Sequence, residues 1–527
     1  MSLERSGGFR ARSGGGRKEP ANRDGGGGEK PVRSGGQAGR RSGGKPSGGR
    51  RPRAGSGRPG GGEKTDSRSP GARNSPNTSV RPLTPGVDEP RAAALHVLRA
   101  VRADDAYANL VLPGLLRTHG ITDRDAAFAT ELTYGTLRQL GVLDEVIDAA
   151  SSRPLDTIDG ELLDVLRLSA YQLLNMRVSP HAAVDTGVRL TEGIGQERAK
   201  GFVNAVLRTI SRKTPDEWMD ELAPTGGVAA TAFANAHPVW IAESFARVLG
   251  EEDLDAALAA DSERPKVHLA ARPGEITAEE LALATGGEPG PYSPYAVHLD
   301  SGDPGDLEPL RERLATVQDE GSQIIARAVV EAPVEGTDRG RWLDLCAGPG
   351  GKAALIGALA RIDGARLDAV EVSEHRAKLV RTATSGLPVN VVTADGRDPG
   401  LEPGYDRVLV DAPCSGLGAL RRRPEARWRK SEADIAELTK LQFELLTSAV
   451  SLVRPGGVVV YSTCSPDLRE TRGVVERALS ELDVVELDAT EFACGMPDTG
   501  GHASVQMWPH RHGTDAMFFS VLRVGDN

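Results

Sequence analysis

The strongest constraint in the sequence is a set of apolar segments that alternates with helical patterns from about Gly321 onward. The segments are RWLDLCA, LDAVEV, VNVVTA, DRVLVDAP and GVVVYSTC. Strands that are apolar throughout must be covered on both faces, and strands separated by helices pair in parallel. We therefore predict a Rossmann-like α/β domain over residues 316–527, with its chemistry at the carboxyl ends of the strands, near a topological switch point.

Three other regions precede this domain. Over residues 89–215 apolar side chains such as Leu95 and Leu98 recur at intervals of three and four, which predicts an all-helical domain. Residues 216 to about 235 are rich in Ala, Pro and Gly and are expected to form a linker. Residues 236–315 combine a helix with short apolar runs punctuated by Gly and Pro, which predicts a small α+β domain.

Residues 1–88 are rich in Gly, Arg, Ser and Pro and have almost no aliphatic side chains. Such a segment cannot bury enough apolar surface to offset its conformational entropy, so we predict a disordered tail. Residues 1–90 hold 19 basic and 8 acidic side chains and the remaining chain 45 and 66, so the net charge of −10 averages two unlike parts. The tail is either a basic arm for RNA phosphates or a solubilising leader.

Hydropathy and cysteine spacing exclude other classes of protein. No apolar run approaches the roughly 18 to 20 residues of a membrane span, so we expect a soluble cytoplasmic protein without a membrane partner. The cysteines are Cys346, Cys414, Cys464 and Cys494, and none forms a C-x-x-C pair. This spacing suggests neither a metal site nor a disulfide framework, so a functional cysteine should act as a free thiol.

The first predicted strand of the α/β domain runs into a glycine-rich loop and then a helix, an arrangement that lets a ligand approach the helix N-terminus. Acids end the next three strands, and the first of them is placed to accept hydrogen bonds from ribose hydroxyls. The set favours S-adenosylmethionine over NAD, although a helix cap is an equally good interpretation of Asp395 alone. A Walker P-loop is excluded by the spacing. The predicted cofactor-binding residues are Cys346, Ala347, Gly348, Pro349, Gly350, Gly351, Lys352, Glu371, Asp395 and Asp411.

Two cysteines end neighbouring strands at the edge that carries this loop. Cys414 lies in Asp-Ala-Pro-Cys, which begins at Asp411, and Cys464 lies in Ser-Thr-Cys-Ser. A thiolate that adds to carbon 6 of a cytosine makes carbon 5 nucleophilic, and the reaction also requires an acid at the pyrimidine edge and a later base. These residues supply such groups, but their chemistry does not rank the two thiols. Cys346 and Cys494 are interpreted as small buried apolar side chains.

Four motifs, QDEGSQ from Gln318, DLCAGPGGK from Asp344, DAPCSG from Asp411 and STCS from Ser462, resemble the bacterial RNA cytosine-5 methyltransferases of the NOL1/NOP2/Sun family. The segments AYANLVLPGLL, DRDAAFATELTYGTLR, SPHAAVDTGVRL and GFVNAVLR resemble the antitermination factor NusB, which implies an RNA-binding helical module. The combination is similar to the Sun (RsmB) type, which modifies 16S ribosomal RNA. The resemblance covers the chain from about Pro90 to its C-terminus.

The resemblance implies a class I methyltransferase domain that uses S-adenosylmethionine to methylate carbon 5 of a cytosine. The RNA would be 16S ribosomal RNA or a small-subunit assembly intermediate, and the enzyme a monomer. The resemblance makes Cys464 the nucleophile, gives Cys414 a part in product release and lets Asp411 hold the pyrimidine edge. Lys352 would contact the cofactor region or Asp411.

Three smaller features leave alternatives open. Gly348 stands where many relatives carry Ala, and a glycine should be tolerated in this turn. His512 and Asp515 either lie near the substrate or form a turn before an antiparallel strand, and the turn is favoured. The arginines at 421–423 either bind phosphate near the target base or form a solvated basic loop.

Other functions fit part of the same sequence. A cytosine-5 enzyme acting on transfer RNA would use the same residues, and only the NusB-like segments favour ribosomal RNA. An RNA-binding assembly factor with a vestigial catalytic half is disfavoured by the intact Cys464, Cys414, Asp411 and Glu371. Amino-group methyltransferases commonly end a strand in [DN]-P-P-[YF], whereas this chain has Asp-Ala-Pro-Cys.

Overall fold

The computed structural model describes residues 87–300 and 302–525. The chain forms an all-helical region, a small α+β region and a large α/β region, in that order along the sequence. The predicted multidomain fold class, with an all-α part followed by a Rossmann-like α/β part, is confirmed. The prediction of a disordered basic tail falls on residues that lie outside the described part of the chain, apart from its last two.

The helices of the first region pack around one apolar core, in which Leu132, Leu166 and Leu207 are fully buried. The first of these helices begins after Asp88, whose carboxylate accepts the Arg91 N–H at 3.2 Å, a typical N-cap. Burial of one stripe on each helix accounts for the three-and-four periodicity of the sequence. The helices are α1 (Glu89–Ala103), α2 (Ala108–His119), α3 (Asp123–Arg138), α4 (Leu140–Ala150), α5 (Gly160–Asn175), α6 (Pro180–Gly193), α7 (Lys200–Ile210) and α8 (Pro215–Leu222).

The linker predicted at residues 216–235 is wrong, because this segment contains most of α8 and a further helix, α9 (Gly227–Ala234). A capping box starts α8: Thr214 Oγ1 accepts the Glu217 N–H at 3.3 Å, and the Glu217 carboxylate accepts the Thr214 N–H at 2.7 Å. Trp218 is buried in the helical core. The alanines that suggested a linker are good helix formers, and the capping box at Thr214 favours a helix over a linker after it.

The small α+β region has two cores. Helix α12 (Ala278–Thr285) packs on an antiparallel sheet in the order β2-β3-β1-β4. Helices α10 (Val239–Leu249) and α11 (Leu254–Ser262) form a second core with α9, which extends to Leu417 and Trp508 of the α/β region. The strands and the last short helix are β1 (Val267–Ala271), β2 (Glu288–Pro289), β3 (Ala296–Leu299), α13 (Glu308–Arg311) and β4 (Ala315–Val317).

The α/β region is built on one sheet in the order β10-β12-β9-β8-β5-β6-β7, with β11 paired to β12. Strands β5 to β9 are parallel, whereas β12 runs antiparallel to both β9 and β10. The strands are β5 (Arg341–Asp344), β6 (Arg366–Val370), β7 (Val389–Val392), β8 (Tyr405–Asp411), β9 (Val453–Thr463), β10 (Val484–Leu487), β11 (Val505–Gln506) and β12 (Phe518–Val524). The helices are α14 (Glu320–Glu331), α15 (Gly351–Asp363), α16 (Glu374–Ala383), α17 (Ala426–Arg429), α18 (Glu432–Leu452), α19 (Arg472–Glu481) and α20 (Pro509–His512).

Successive residues of the central strands point into different cores. Trp342 of β5 packs with α14 and α15 on one face, and Leu343 packs with α18 and α19 on the other. These strands are apolar throughout because both of their faces are buried. The chain leaves β5 towards β6 and β7 and returns to β8 on the opposite side, so a switch point lies between β5 and β8.

Residues 420–430, here called the arginine segment, contact all three regions. Arg427 is fully buried and donates to the carbonyls of Asp261 at 2.6 Å and Ala236 at 3.3 Å. Burial lowers the pKa of Arg427 to about 10 and raises the pKa of Asp261 to about 7. The Asp261 carboxylate has no hydrogen-bond partner among the described residues, so the charge of Arg427 is its main compensation.

The end of the arginine segment binds the helical region through main-chain carbonyls. Trp428 Nε1 donates to the carbonyl of Leu137 at 3.0 Å. Arg429 donates to the carbonyls of Asp105 at 3.1 Å and Ala106 at 2.8 Å. These contacts attach the loop after β8 to the helical region.

Within the described part of the chain, none of the helices combines the length and the hydropathy of a membrane span.

Substituting Arg427 by Leu should lower the free energy of unfolding by about 3 kcal/mol, because it leaves Asp261 buried without a counter-charge. Urea unfolding followed by tryptophan fluorescence measures the change. The double variant Arg427→Leu/Asp261→Leu should recover part of the loss, since it removes both charges. A loss below about 1 kcal/mol in the single variant would show that the buried charge is not needed.

Candidate active site

The glycine-rich loop after β5 leads directly into α15 at the carboxyl edge of the sheet. Gly350 caps α15 with φ of +115°, a conformation that side chains disfavour. A Cβ on Gly348 would lie 2.1 Å from Glu371 Oε2 and 2.7 Å from Arg376 Nε. The space that an alanine would need at position 348 is therefore filled by the ends of two flexible side chains.

Two of the predicted cofactor acids have different surroundings. Glu371 is 3% exposed, and its carboxylate accepts the N–H groups of Gly348 at 3.1 Å and Ser373 at 2.9 Å. Asp395 is more exposed, and Arg397 donates to its two oxygens at 3.1 and 2.6 Å. The Arg397 hydrogen bonds lower the pKa of Asp395. Glu371, which follows β6, therefore contacts the glycine-rich loop, whereas Asp395 is paired with the nearby Arg397.

Asp344, the last residue of β5, is an additional acid that the sequence reasoning gave no role. It is fully buried, one oxygen accepts the Cys346 N–H at 3.3 Å, and the other has no partner among the described residues. Burial, with a smaller contribution from Asp411, raises the pKa of Asp344 to about 7. A signal was present in the sequence, because Asp344 directly precedes the glycine-rich loop at a strand end.

The residues around the loop fit a ligand that carries hydroxyl donors and a positive charge. Glu371 and Asp344 offer buried carboxylates, and Asp344 has an oxygen without a donor. Such carboxylates would repel a ligand with several phosphates. The loop is therefore suited to a cationic ribose-bearing cofactor.

The thiols of Cys414 and Cys464 lie at hydrogen-bonding distance, with their sulfur atoms 3.3 Å apart. Their strands, β8 and β9, pair in parallel with Asp411 opposite Ser462. The Ala412 N–H donates to the Ser462 carbonyl at 2.9 Å, which extends the pairing beyond β8. Because the two cysteines follow these paired positions, the register of the strands brings them together.

The two thiols differ in acidity. The hydrogen bond from the Cys414 thiol lowers the pKa of Cys464, and the charges of Lys352 and Arg423 lower it further. The same hydrogen bond, together with burial and Glu470, raises the pKa of Cys414 well above its usual value. Cys464 is therefore the sulfur that ionises first, and Cys414 is its hydrogen-bond donor.

Asp411 links the thiol pair to the glycine-rich loop. Lys352 Nζ donates to one oxygen of Asp411 at 2.8 Å, and Ser462 Oγ donates to the other at 3.0 Å. Burial acts to lower the pKa of Lys352, but the adjacent Asp411 carboxylate outweighs it and the net pKa is raised. Lys352 is thus a cation that contacts Asp411, one of the two roles considered for it.

Comparisons with known proteins identify the family. Residues 330–523 match the family described as 16S rRNA methyltransferase RsmB/F, and residues 88–212 match the NusB family. The chain is 32% identical over 443 residues to ribosomal RNA small subunit methyltransferase B of Cronobacter sakazakii, covering 82% of this chain and 98% of that protein. It is 58% identical over 450 residues to a Mycobacterium tuberculosis (strain H37Rv) protein named "putative methyltransferase", covering 84% and 97%.

The chain belongs to the RsmB/F family of RNA methyltransferases. The predicted family and the prediction of an RNA-modifying methyltransferase with a NusB domain are confirmed. The fold agrees with the crystal structure of PH0851, with a TM-score of 0.70 at 22% identity over 83% of this chain and 99% of that one.

A buried polar network supports the thiol pair of this RsmB/F methyltransferase. The Glu470 carboxylate accepts the Ser415 N–H at 2.8 Å and the Gln442 Nε2 hydrogen at 3.0 Å. Gln442 also donates to the carbonyl of Pro413 at 2.9 Å, on the other side of Cys414. Glu470 and Gln442 therefore fix the backbone on both sides of Cys414. Sequence reasoning missed them because they lie in α18 and in the loop after β9, outside every motif.

Neither interpretation of the basic run at 421–423 holds for its first two residues in this RsmB/F methyltransferase. Arg421 is buried and donates to Asp515 at 2.7 Å. Arg422 donates to Asp515 at 2.9 Å and to Asp319 at 2.8 Å. These arginines are neutralised by two acids far away in the sequence, so they are structural. Asp515 belongs to this ion-pair cluster.

His512 lies in the short helix α20, before β12. Its Nδ1 accepts the Trp508 N–H at 2.8 Å, and its Nε2 is 2.7 Å from the carbonyl of Pro497. Both ring nitrogens are therefore used by the main chain. This arrangement agrees with the favoured interpretation of a turn before the last strand.

The two remaining cysteines have surroundings unlike those of the thiol pair. Burial, followed by Asp344, raises the pKa of Cys346 well above its usual value. Cys494 is half-buried and lies 2.7 Å from Arg327 Nη1, a polar contact that its interpretation as an apolar side chain did not include. The described residues contain no group of three or more His, Cys, Asp or Glu side chains suited to a metal ion.

Replacing Cys414 by Ala should raise the pKa of Cys464, because it removes the hydrogen-bond donor that favours the thiolate. Alkylation of Cys464 by iodoacetamide, followed by mass spectrometry as a function of pH, should then slow at neutral pH and show a higher midpoint. Cys414→Ser keeps a donor and serves as the matched control, with a midpoint near that of the unaltered protein. An unchanged or lower midpoint in Cys414→Ala would exclude this account of the thiol pair.

Proposed function

We propose that this chain transfers a methyl group from S-adenosylmethionine to carbon 5 of a cytosine in 16S ribosomal RNA, through a covalent bond between Cys464 and the base. The observation that carries the proposal is the thiol pair, 3.3 Å apart, at the sheet edge that also holds the glycine-rich loop. The more acidic sulfur is Cys464, which supports its choice as the nucleophile. Glu371 and Asp344 would hold the cofactor through its hydroxyl groups and its positive charge.

The first step uses Cys464 and Asp411. The Cys464 thiolate adds to carbon 6 of a cytosine turned out of its strand, and the ring electrons move towards carbon 5. Asp411, oriented by Lys352 and Ser462, lies against nitrogen 3 of the base, by hydrogen bonding or as its proton donor. When bound, the cofactor would supply an electrophilic methyl group for carbon 5 and would leave as the neutral thioether S-adenosylhomocysteine.

Product release requires loss of the proton on carbon 5 and cleavage of the bond between Cys464 and carbon 6. Once Cys464 is a thioether, the Cys464 thiolate no longer raises the pKa of Cys414. Cys414 can then ionise to solvent and take the carbon 5 proton, while the electrons of the sulfur–carbon bond return to Cys464 as a thiolate. The sulfur separation of 3.3 Å places Cys414 within reach of the same base.

Two observations support the choice of RNA. The Cronobacter sakazakii relative is named as a small-subunit ribosomal RNA methyltransferase, and the NusB match spans residues 88–212. We infer that the enzyme acts as a monomer in the cytoplasm, where 16S ribosomal RNA or a small-subunit assembly intermediate is its substrate. The same two observations favour ribosomal RNA over transfer RNA as the substrate.

The unaltered protein should transfer labelled methyl groups to protein-free 16S ribosomal RNA, giving 5-methylcytosine at one mapped position. Cys464→Ala should lower this activity by at least about 10³-fold, as expected for loss of a nucleophile. Transfer to transfer RNA alone would overturn the ribosomal substrate but not the chemistry. Equal turnover by the Cys464→Ala variant and the unaltered protein would refute the covalent mechanism.

Cys414→Ala should instead accumulate a covalent protein–RNA complex, because adduct formation remains while release is slowed. The complex is detected as a band stable to denaturing electrophoresis, at a pH high enough to ionise Cys464 in this variant. The double variant Cys414→Ala/Cys464→Ala is the matched control and should form no such band. A band that persists in the double variant would mean that another residue attacks the base.

A further inference from the structure

Arg423 differs from the two arginines that precede it. Arg421 and Arg422 are bound to acids, whereas the Arg423 side chain is exposed. In the part of the chain that the structure describes, its guanidinium forms no ion pair and no hydrogen bond. The charge of Arg423 acts on the buried carboxylate of Glu425, but the two form no ion pair, so the exposed guanidinium can still bind an anion.

Arg423 is connected to the reaction centre through a short turn. The Gly418 N–H donates to the carbonyl of Cys464 at 2.9 Å, and the Arg423 N–H donates to the carbonyl of Ala419 at 3.1 Å. The position of Gly418 is tight, since a Cβ there would lie 2.0 Å from the carbonyl oxygen of Ala516. The turn therefore fixes the backbone of Arg423 relative to Cys464, close enough for its charge to act on the thiol.

An aromatic ring from the helical region orients the Arg423 side chain. The guanidinium carbon lies 5.2 Å from the centroid of the Tyr107 ring, and the guanidinium carbon of Arg429 lies 5.7 Å from the same centroid. Arg429 is itself held by main-chain carbonyls, and Tyr107, which precedes α2, is 38% exposed. A cation–π contact restrains the guanidinium without neutralising its charge.

We propose that Arg423 binds a backbone phosphate of the RNA next to the target cytosine, with Tyr107 as its positioning residue. This inference rests on the proposed function and gives the helical region a direct part in the active site. Contacts to backbone phosphates position a nucleic acid on a protein, and guanidinium groups bind phosphate in a bidentate manner. An exposed arginine whose charge acts on the nucleophile has the position and the charge for this contact.

The test compares the full-length protein with its Arg423→Ala variant in binding to a 16S ribosomal RNA transcript at several salt concentrations. Loss of one phosphate contact should weaken binding about tenfold and reduce the slope of log K against log salt by about 0.7 to 1. Arg366→Ala is the matched control, because Arg366 is exposed at the amino end of β6, on the opposite edge of the sheet. Its affinity and slope should be unchanged.

A second pair of variants tests the role of Tyr107. Tyr107→Phe keeps the ring and should bind like the unaltered protein, whereas Tyr107→Leu should show part of the loss seen for Arg423→Ala. An unchanged salt slope in Arg423→Ala, with only the pH midpoint of Cys464 alkylation raised, would overturn the proposal in favour of a purely electrostatic effect on the thiol. Since binding is measured without turnover, failure of methyl transfer by the unaltered protein would count against the proposed function alone.

Discussion

The parallel pairing of β8 with β9 is the constraint on which the reaction centre depends. The two cysteines are 50 residues apart in the sequence and become neighbours only because each follows the end of one of these strands. Side chains alternate between the two faces of a strand, so a register shift of one residue would direct the following groups to other faces of the sheet. Both faces of β8 and β9 are buried, so such a shift would move each side chain into the opposite core, where the packing does not fit it.

The electrostatics of the same edge explain how a thiolate is tolerated there. Asp344, Asp411 and Glu371 are carboxylates at three successive positions along the sheet, an unfavourable place for a further negative charge. The Cys414 hydrogen bond and the cations of Lys352 and Arg423 offset this at Cys464. A cationic cofactor beside these carboxylates would reduce the excess negative charge, so cofactor binding and thiolate formation should favour one another.

Residues in local motifs could be predicted from the sequence, and residues defined by distant partners could not. The glycine-rich loop, Glu371 and the two thiols were found because each lies at a strand end that periodicity locates. Glu470 carries no such signal, since its partners lie 28 and 55 residues away. Neither phosphate binding nor a solvated loop describes Arg421, because its acidic partners, Asp319 and Asp515, are 102 and 94 residues away in the sequence.

The contacts between the arginine segment and the helical region have a consequence for sequence divergence. Trp428 and Arg429 donate to the main-chain carbonyls of Leu137, Asp105 and Ala106 in the helical region. Every amino acid offers the same carbonyl, so the accepting positions can change their side chains while the interface between the regions persists. The donors have no such freedom. Side chains should therefore change rapidly at the positions whose carbonyls accept these hydrogen bonds. They should change slowly at the donor positions of the arginine segment.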